Sequence, residues 1–249
     1  MLFIYLLHVK HIYLDLFSFA LQEYSLFMDG KAFVESVGNL LEIAKQFDDL
    51  KFIDMGGGFG ILYNKEDDEK GLDLNDLGSK IDEALFKFAE EYGKQITFRI
   101  EPGRYISAEC SVILGTVHAV KYNHSHKFVG TDIGFNVLQR PIMYDSYHGI
   151  EIFRSSDKIS EKTEPVTVVG NICESGDILA KDRVLPEIFS GDTLCVLDTG
   201  AYGFSMSSNY NNRLRPAEIL IRENNDVVLI RERDELKDLK RHMISLKKY

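Results

Sequence analysis

Five short strings in this chain set residue types that do chemistry beside residue types that bend a backbone. The first is Gly56-Gly57-Gly58-Phe59-Gly60, directly after the apolar run Lys51–Met55. Glycines let backbone N–H groups close on a phosphate, and a following helix or nest adds favourable dipoles. The same glycines would equally serve a tight strand-to-helix turn. The second string is Glu101-Pro102-Gly103-Arg104, at the end of another strand-like run. Its carboxylate and guanidinium fit a charged cofactor, or a surface ion pair. The third runs from Cys173-Glu174 to Lys181-Asp182. A thiol beside an acid can move protons and hold an ammonium group. Taken alone, that string is better explained as a surface turn, with Asp177 and Asp182 as turn residues and Lys181 in solvent. The fourth, Gly200–Met206, presents the Tyr202 hydroxyl on a turn of small residues, which could bind a phosphate. The fifth is Arg140 with Tyr144 four residues on. A guanidinium offers two N–H groups to the two oxygens of a carboxylate.

These strings need elements to hold them. Residues 31–48 place Phe33, Val34, Val37, Leu40, Leu41, Ala44 and Phe47 at helical spacing. Residues 74–92 repeat the pattern with Leu77, Ile81, Ala84, Leu85, Phe88 and Tyr92, and Gly93 is suited to stop the helix. Strands are expected at Lys51–Met55 and Ile96–Glu101. Helix, strand, helix, strand implies parallel strands joined by crossover helices, as in an α/β barrel. Beyond residue 111 the pattern changes. Runs rich in β-branched residues at 111–121, 127–131, 165–170, 193–198, 218–222 and 227–230 alternate with turn clusters, which predicts a mostly antiparallel β domain. A final helix is expected from Glu232 to about Lys247. The expected division is a partial α/β barrel over 1–108 and a β domain over 109–249.

Composition narrows the partners. Twenty-nine Lys and Arg against 39 Asp and Glu give a net charge of −10, with no basic run. That argues against nucleic acid and anionic membrane as main partners. The chain is 45% hydrophobic and 27% charged, the profile of a soluble globular protein. Cys110, Cys173 and Cys195 lack metal-type spacing, so no metal site is expected. Their odd number points to free thiols and a reducing cytoplasm. Met1–Leu7 is apolar but too short to span a bilayer, and it lacks a signal peptide's charged start and cleavage site.

In order along the chain stand IDMGGGFGI, EPGRYISAE, QRPIMYDSYH, CESGDILAKDR and DTGAYGFSMSSNYNNRLRPAEIL. Together they resemble the diaminopimelate decarboxylases among the fold-type III decarboxylases that use pyridoxal 5′-phosphate (PLP). The resemblance covers about residues 31–249. The fourth and fifth strings favour diaminopimelate over ornithine or arginine as substrate. The resemblance implies an alanine-racemase-like (β/α)8 barrel followed by a β domain. It implies that Gly56, Gly57, Gly58, Gly103 and the backbone of Arg104 hold the PLP phosphate, with Tyr202 adding a contact. Glu101 would pair with the pyridine nitrogen. Arg104, Arg140 and Tyr144 would bind the carboxylate that the substrate keeps. Cys173 and Glu174 would enter from the other subunit of a homodimer, Cys173 to reprotonate Cα and Glu174 to bind the distal amino group. The implied reaction converts meso-2,6-diaminopimelate to L-lysine and CO2. A second amino-acid centre on the substrate calls for an anion clamp and an acid together, which ornithine does not.

The sequence departs from the family near its start. The family's PLP lysine stands in a Tyr-Ala-x-Lys-Ala-like string on the first barrel strand, and nothing here matches it. A barrel takes about 250 residues, and only about 105 precede the β-rich part, enough for the last two or three strands. The family's His-x-His-x-Gly-Ser-like strand end has only His8 in roughly its place, without Gly-Ser, and residues 10–28 match no family string. Negligible decarboxylase activity of this chain alone is therefore expected. Competing expectations are a non-catalytic partner that lends Cys173 and Glu174 to a full-length subunit, a decarboxylase of a carboxylated polyamine, and a non-functional remnant.

Overall fold

A computed structural model describes residues 27–66, 70–154 and 160–244. The expectations for Met1–Leu7 and His8 lie outside the described residues. The chain divides into two compact units, residues 1–108 and 109–249.

In the first unit, α1 (Lys31–Ala44) buries Phe33, Val37, Leu40, Leu41 and Ala44 along one face. It ends earlier than the apolar spacing predicts, because Gln46 and Phe47 donate to Ile43 and Ala44 three residues back, which tightens the last turn. β1 (Phe52–Gly57) lies parallel to β2 (Thr97–Glu101), with Phe52 opposite Thr97 and Gly57 opposite Glu101. Parallel neighbours need a crossover, which α2 (Leu74–Tyr92) supplies. The Asp73 carboxylate caps α2 by accepting from the N–H groups of Asn75 and Asp76. Gly93 ends it at φ 66°, a left-handed conformation that a side chain would strain. The core lies between α1, α2 and β1, around Ile53, Met55, Phe59, Leu77 and Phe88. A five-residue helix, α3 (Gly103–Ser107), follows β2.

The second unit is built on a six-stranded sheet in the order β5-β8-β3-β4-β6-β7. Its strands are β3 (Ile113–Asn123), β4 (His126–Thr131), β5 (Ile150–Phe153), β6 (Thr163–Val169), β7 (Ile178–Pro186) and β8 (Thr193–Val196), with a short helix α4 (Arg140–Tyr144) between β4 and β5. Only β4 and β6 pair in parallel. Val117, Val129, Leu138, Val166, Val168 and Leu194 form its core. A separate antiparallel hairpin joins β9 (Glu218–Ile221) to β10 (Val227–Arg231). The whole is an incomplete α/β barrel followed by a mostly antiparallel β domain.

Three expectations change. β7 contains Lys181 and Asp182, so Asp182 is not in a turn. It sits in the strand at φ 47°, where the pairing with β6 shifts register, and its N–H donates to Thr167 Oγ1 at 3.2 Å. β5 is a strand that the six β-branched runs leave out. Among the described residues, the expected final helix is limited to the four residues of α5 (Leu236–Leu239), none of them buried. A helix that short gains little without packing, and only its capping box with Glu235 and Asp238 steadies it. Among the described residues, no helix is long and apolar enough to cross a membrane.

Candidate active site

The first unit sets Gly57 against Glu101. A Cβ on Gly57 would run into the Glu101 carbonyl oxygen, so the two strand ends meet only because residue 57 is glycine. Gly56 and Gly58 lie at φ 73° and 90° and turn the backbone away from the strand. Asp54 Oδ1 accepts from the Gly56 N–H at 3.0 Å. On the far side, the Phe27 N–H donates to the Gly58 carbonyl at 3.0 Å and the Gly60 N–H to the Phe27 carbonyl at 3.1 Å. Gly56 and Gly57 complete β1, and no helix starts at this loop, since α2 begins at Leu74. The loop is thus neither a strand-to-helix turn nor followed by a helix dipole. The Glu101 carboxylate is exposed at the end of β2, and Gly103 and Arg104 open α3 immediately beyond it.

The other candidate residues belong to the second unit. Arg140 opens α4 and is 2% exposed, while Tyr144, at the end of the same turn, is 60% exposed. Arg140 Nη1 stands 2.8 Å from His148 Nε2. The other ring nitrogen, Nδ1, stands 2.8 Å from the Leu197 carbonyl. Leu197 directly follows β8, the strand that leads into the turn carrying Tyr202. Tyr202 is 43% exposed and held at φ 62°.

Cys173 and Glu174 are exposed in the turn between β6 and β7. Asp177 shapes that turn from within. Its two carboxylate oxygens accept from the N–H groups of Phe135 and Ile172, each at 2.7 Å. Burial pushes the Asp177 carboxyl above its usual pKa, against those two hydrogen bonds and the positive charge of Arg213, while Glu174 adds to the rise. A Cβ on Gly176 would stand 2.5 Å from Ile142 Cδ1, so the turn lies against α4. The structure therefore brings the Arg140–Tyr144 helix beside the Cys173–Glu174 turn. A second carboxylate, Asp234, ties down the segment after Tyr202. It accepts from Asn209 Nδ2 at 3.1 Å, Arg215 Nε at 2.9 Å and the Arg215 N–H at 3.1 Å, and it pairs with Arg231. Burial would raise its pKa, but these hydrogen bonds and the Arg215 charge outweigh it and hold the carboxyl well below the usual range.

Sequence reasoning passed over His148, and it placed Asp177 in the turn without its buried carboxylate's bonds to the Phe135 and Ile172 N–H groups. The signal for His148 was available, because it closes the QRPIMYDSYH string that Arg140 opens. Nothing in the spacing pointed to Leu197 or to Asp234.

A family model described as "Pyridoxal-dependent decarboxylase, C-terminal sheet domain" matches residues 11–200. The diaminopimelate decarboxylase of Methanothermobacter thermautotrophicus is 44% identical over 220 residues, which are 86% of this chain and 50% of the relative. That of Archaeoglobus fulgidus is 42% identical over 85% of this chain and 50% of its own length. Among solved structures, Helicobacter pylori diaminopimelate decarboxylase in complex with L-lysine superposes with a TM-score of 0.77 at 34% identity, covering 90% of this chain and 53% of that one. The chain spans about half the length of the curated relatives it matches.

Proposed function

Because this chain belongs to the pyridoxal-dependent decarboxylase family, we propose that it forms the C-terminal half of a diaminopimelate decarboxylase site. The substrate is meso-2,6-diaminopimelate, the products are L-lysine and CO2, and the working form is a cytoplasmic homodimer with shared sites. The observation that supports this reading most is Arg140, buried and held at the head of α4, beside the turn that exposes Cys173 and Glu174. An anion clamp next to an acid and a thiol matches a substrate that keeps one amino-acid centre while losing a carboxyl from the other.

The residues of the first unit fit a phosphorylated cofactor. Gly56 and Gly58 adopt conformations open to glycine, and nothing lies within 4 Å of where a Cβ on Gly103 would stand. Gly56, Gly57, Gly58, Gly103 and the Arg104 backbone would hold the phosphate of PLP, Tyr202 would add its hydroxyl, and the Glu101 carboxylate would pair with the pyridine nitrogen. When bound, PLP supplies the sink for the electron pair left on Cα as CO2 departs. Arg140, Arg104 and Tyr144 bind the retained carboxylate and fix which end of the substrate reacts. The Glu174 carboxylate pairs with the distal ammonium. The Cys173 thiol delivers a proton to Cα. The last two groups act in the partner's site, which makes dimerisation part of catalysis.

The 249 residues hold no counterpart of the family's PLP lysine string. Purified alone and supplied with PLP, this polypeptide is expected to release negligible CO2 from meso-diaminopimelate. Fused behind the first half of the Methanothermobacter relative, it is expected to do so, and Arg140→Met in that fusion is expected to lower kcat/KM by about 2–5 kcal/mol of transition-state binding. A fusion that folds and takes up PLP yet prefers ornithine, or ignores the Arg140 substitution, would defeat the assignment. Exposure of the Cys173–Glu174 turn also supports a second reading, a partner that lends these two groups to a full-length subunit. In that case, the unfused chain restores activity to a full-length relative whose own aligned cysteine is replaced by alanine, and Cys173→Ala abolishes the rescue.

A further inference from the structure

We propose that His148 is a positioning residue that locks the Arg140 guanidinium in place, acting as a neutral ring with its proton on Nδ1. The inference rests on the reading above that Arg140 meets a carboxylate, and it adds how that arginine is held ready.

The proton assignment follows from the partners. A guanidinium has only donors, so at 2.8 Å from Arg140 Nη1 the Nε2 atom must accept. The proton then stands on Nδ1, where it is donated to the Leu197 carbonyl, also at 2.8 Å. The opposite tautomer would set N–H against N–H at one end and lone pair against carbonyl oxygen at the other. A doubly protonated ring would bring two cationic groups into contact inside a dry site. Only one form satisfies both neighbours. His148 is 1% exposed and Arg140 2%, so water does not substitute for either bond.

The ring is itself well held. The Leu197 N–H donates to the Gly149 carbonyl at 2.9 Å, so residues 148 and 149 are joined to Leu197 twice. Arg183 Nη1 donates to the His148 carbonyl at 3.1 Å, and the Arg183 guanidinium lies over the Tyr147 ring at 3.7 Å. His148 thus ties the head of α4 to the end of β8, the strand that runs on to Tyr202. An arginine set this way loses less freedom when a carboxylate arrives, and it meets that carboxylate in one orientation. Burial alone would be served by an aliphatic side chain. An acceptor aimed at Nη1 is needed only if the guanidinium must be aimed.

The test uses the 249-residue chain, labelled with 15N, with no ligand added. Long-range 1H–15N spectra of the His148 ring at neutral pH are expected to show Nδ1 protonated and Nε2 bare. Arginine side-chain spectra are expected to show separate Nη1 and Nη2 signals for Arg140, because an anchored guanidinium does not rotate freely about its Cζ–Nη bonds. His148→Leu is expected to merge those signals. His148→Gln, which returns an acceptor oxygen near the Nε2 position, is expected to separate them again. A proton on Nε2, a charged ring, merged Arg140 signals in the unmodified chain, or separate signals in a folded His148→Leu variant would each overturn the proposal. If His148→Leu does not fold, the ring spectra of the unmodified chain and the His148→Gln comparison still decide. Since no substrate enters this measurement, its failure leaves the carboxylate reading standing. Conversely, a fusion enzyme indifferent to Arg140 would remove that reading and leave the anchor intact.

Discussion

The two units bury their strands to different extents. In the first, β1 is buried along most of its length, while β2, its parallel neighbour, has four of its five residues exposed, Ile100 at 48% among them. In the second, β4, β6 and β8 lie inside a six-stranded sheet, and Val129, Val168 and Leu194 are fully covered. The second unit leaves its apolar excess on the β9–β10 hairpin, where Ile219, Ile221, Val227, Leu229 and Ile230 are exposed. Eight strands close a barrel and give each strand two neighbours, and the described residues supply two. A strand pair covered by helices on one face has gained only part of its burial. Both units have a core of their own, but the β domain covers its inner strands within one sheet, whereas the described barrel strands leave β2 largely bare. The residues assigned to the cofactor phosphate sit mostly in the less complete part, and those assigned to substrate and proton transfer mostly in the more complete one.

The largest effect should come from separating the units. Residues 109–249 alone are expected to give a cooperative thermal transition by circular dichroism, and residues 1–108 alone none. A sharp transition in the first fragment, or its absence in the second, would break the contrast.

Next comes the core. Leu194→Ala removes a side chain with no exposure and is expected to cost about 2–5 kcal/mol in urea unfolding of the full chain, whereas Ile100→Ala on β2 should stay within about 0.5 kcal/mol. Equal costs would mean that β2 is better covered than its exposure indicates.

The smallest effects sharpen the account of the second unit's polar clasps. The folded-state pKa of Asp234 lies below its unfolded value, so its contribution to stability is present above the unfolded pKa and is lost as pH falls through the folded one. Asp177 is raised, so its contribution is present below the unfolded pKa and is lost as pH rises through the folded one. Asp234→Asn should cost about 1–3 kcal/mol at neutral pH and progressively less in acid. The margin by which the unmodified chain exceeds the Asp177→Asn variant in stability should instead shrink as pH rises. Urea melts of the three proteins across the acid to neutral range test both signs.

Much of the fold was legible because local patterns and tertiary packing agree. The 74–92 helix appears with the predicted ends because Asp73 and Gly93 cap it through local hydrogen bonds. The 31–48 helix comes out shorter, because its last turn tightens instead of continuing. The expected C-terminal helix fails for a related reason. Propensity alone does not sustain a helix with no face to bury, and Asp234, just before it, is committed to Asn209, Arg215 and Arg231. β7 hid inside a string that looked like a turn because Asp182 takes a left-handed conformation within the strand, a feature set by its pairing across to Thr167.

The sequence by itself determined the family, the order of barrel strands before β domain, and the residue types available for chemistry. These are carried by ordered strings and by periodicities of two and 3.6 residues, both of which are local. Tertiary structure alone decided that Gly57 must be glycine, because the Glu101 carbonyl, forty-four residues on, comes to lie where a Cβ would be. It also decided the tautomer of His148, because that depends on an arginine eight residues before it and a carbonyl forty-nine residues after it. A hydrogen-bond partner distant in the chain leaves no mark on local composition, so its role becomes visible only once folding brings the two ends together.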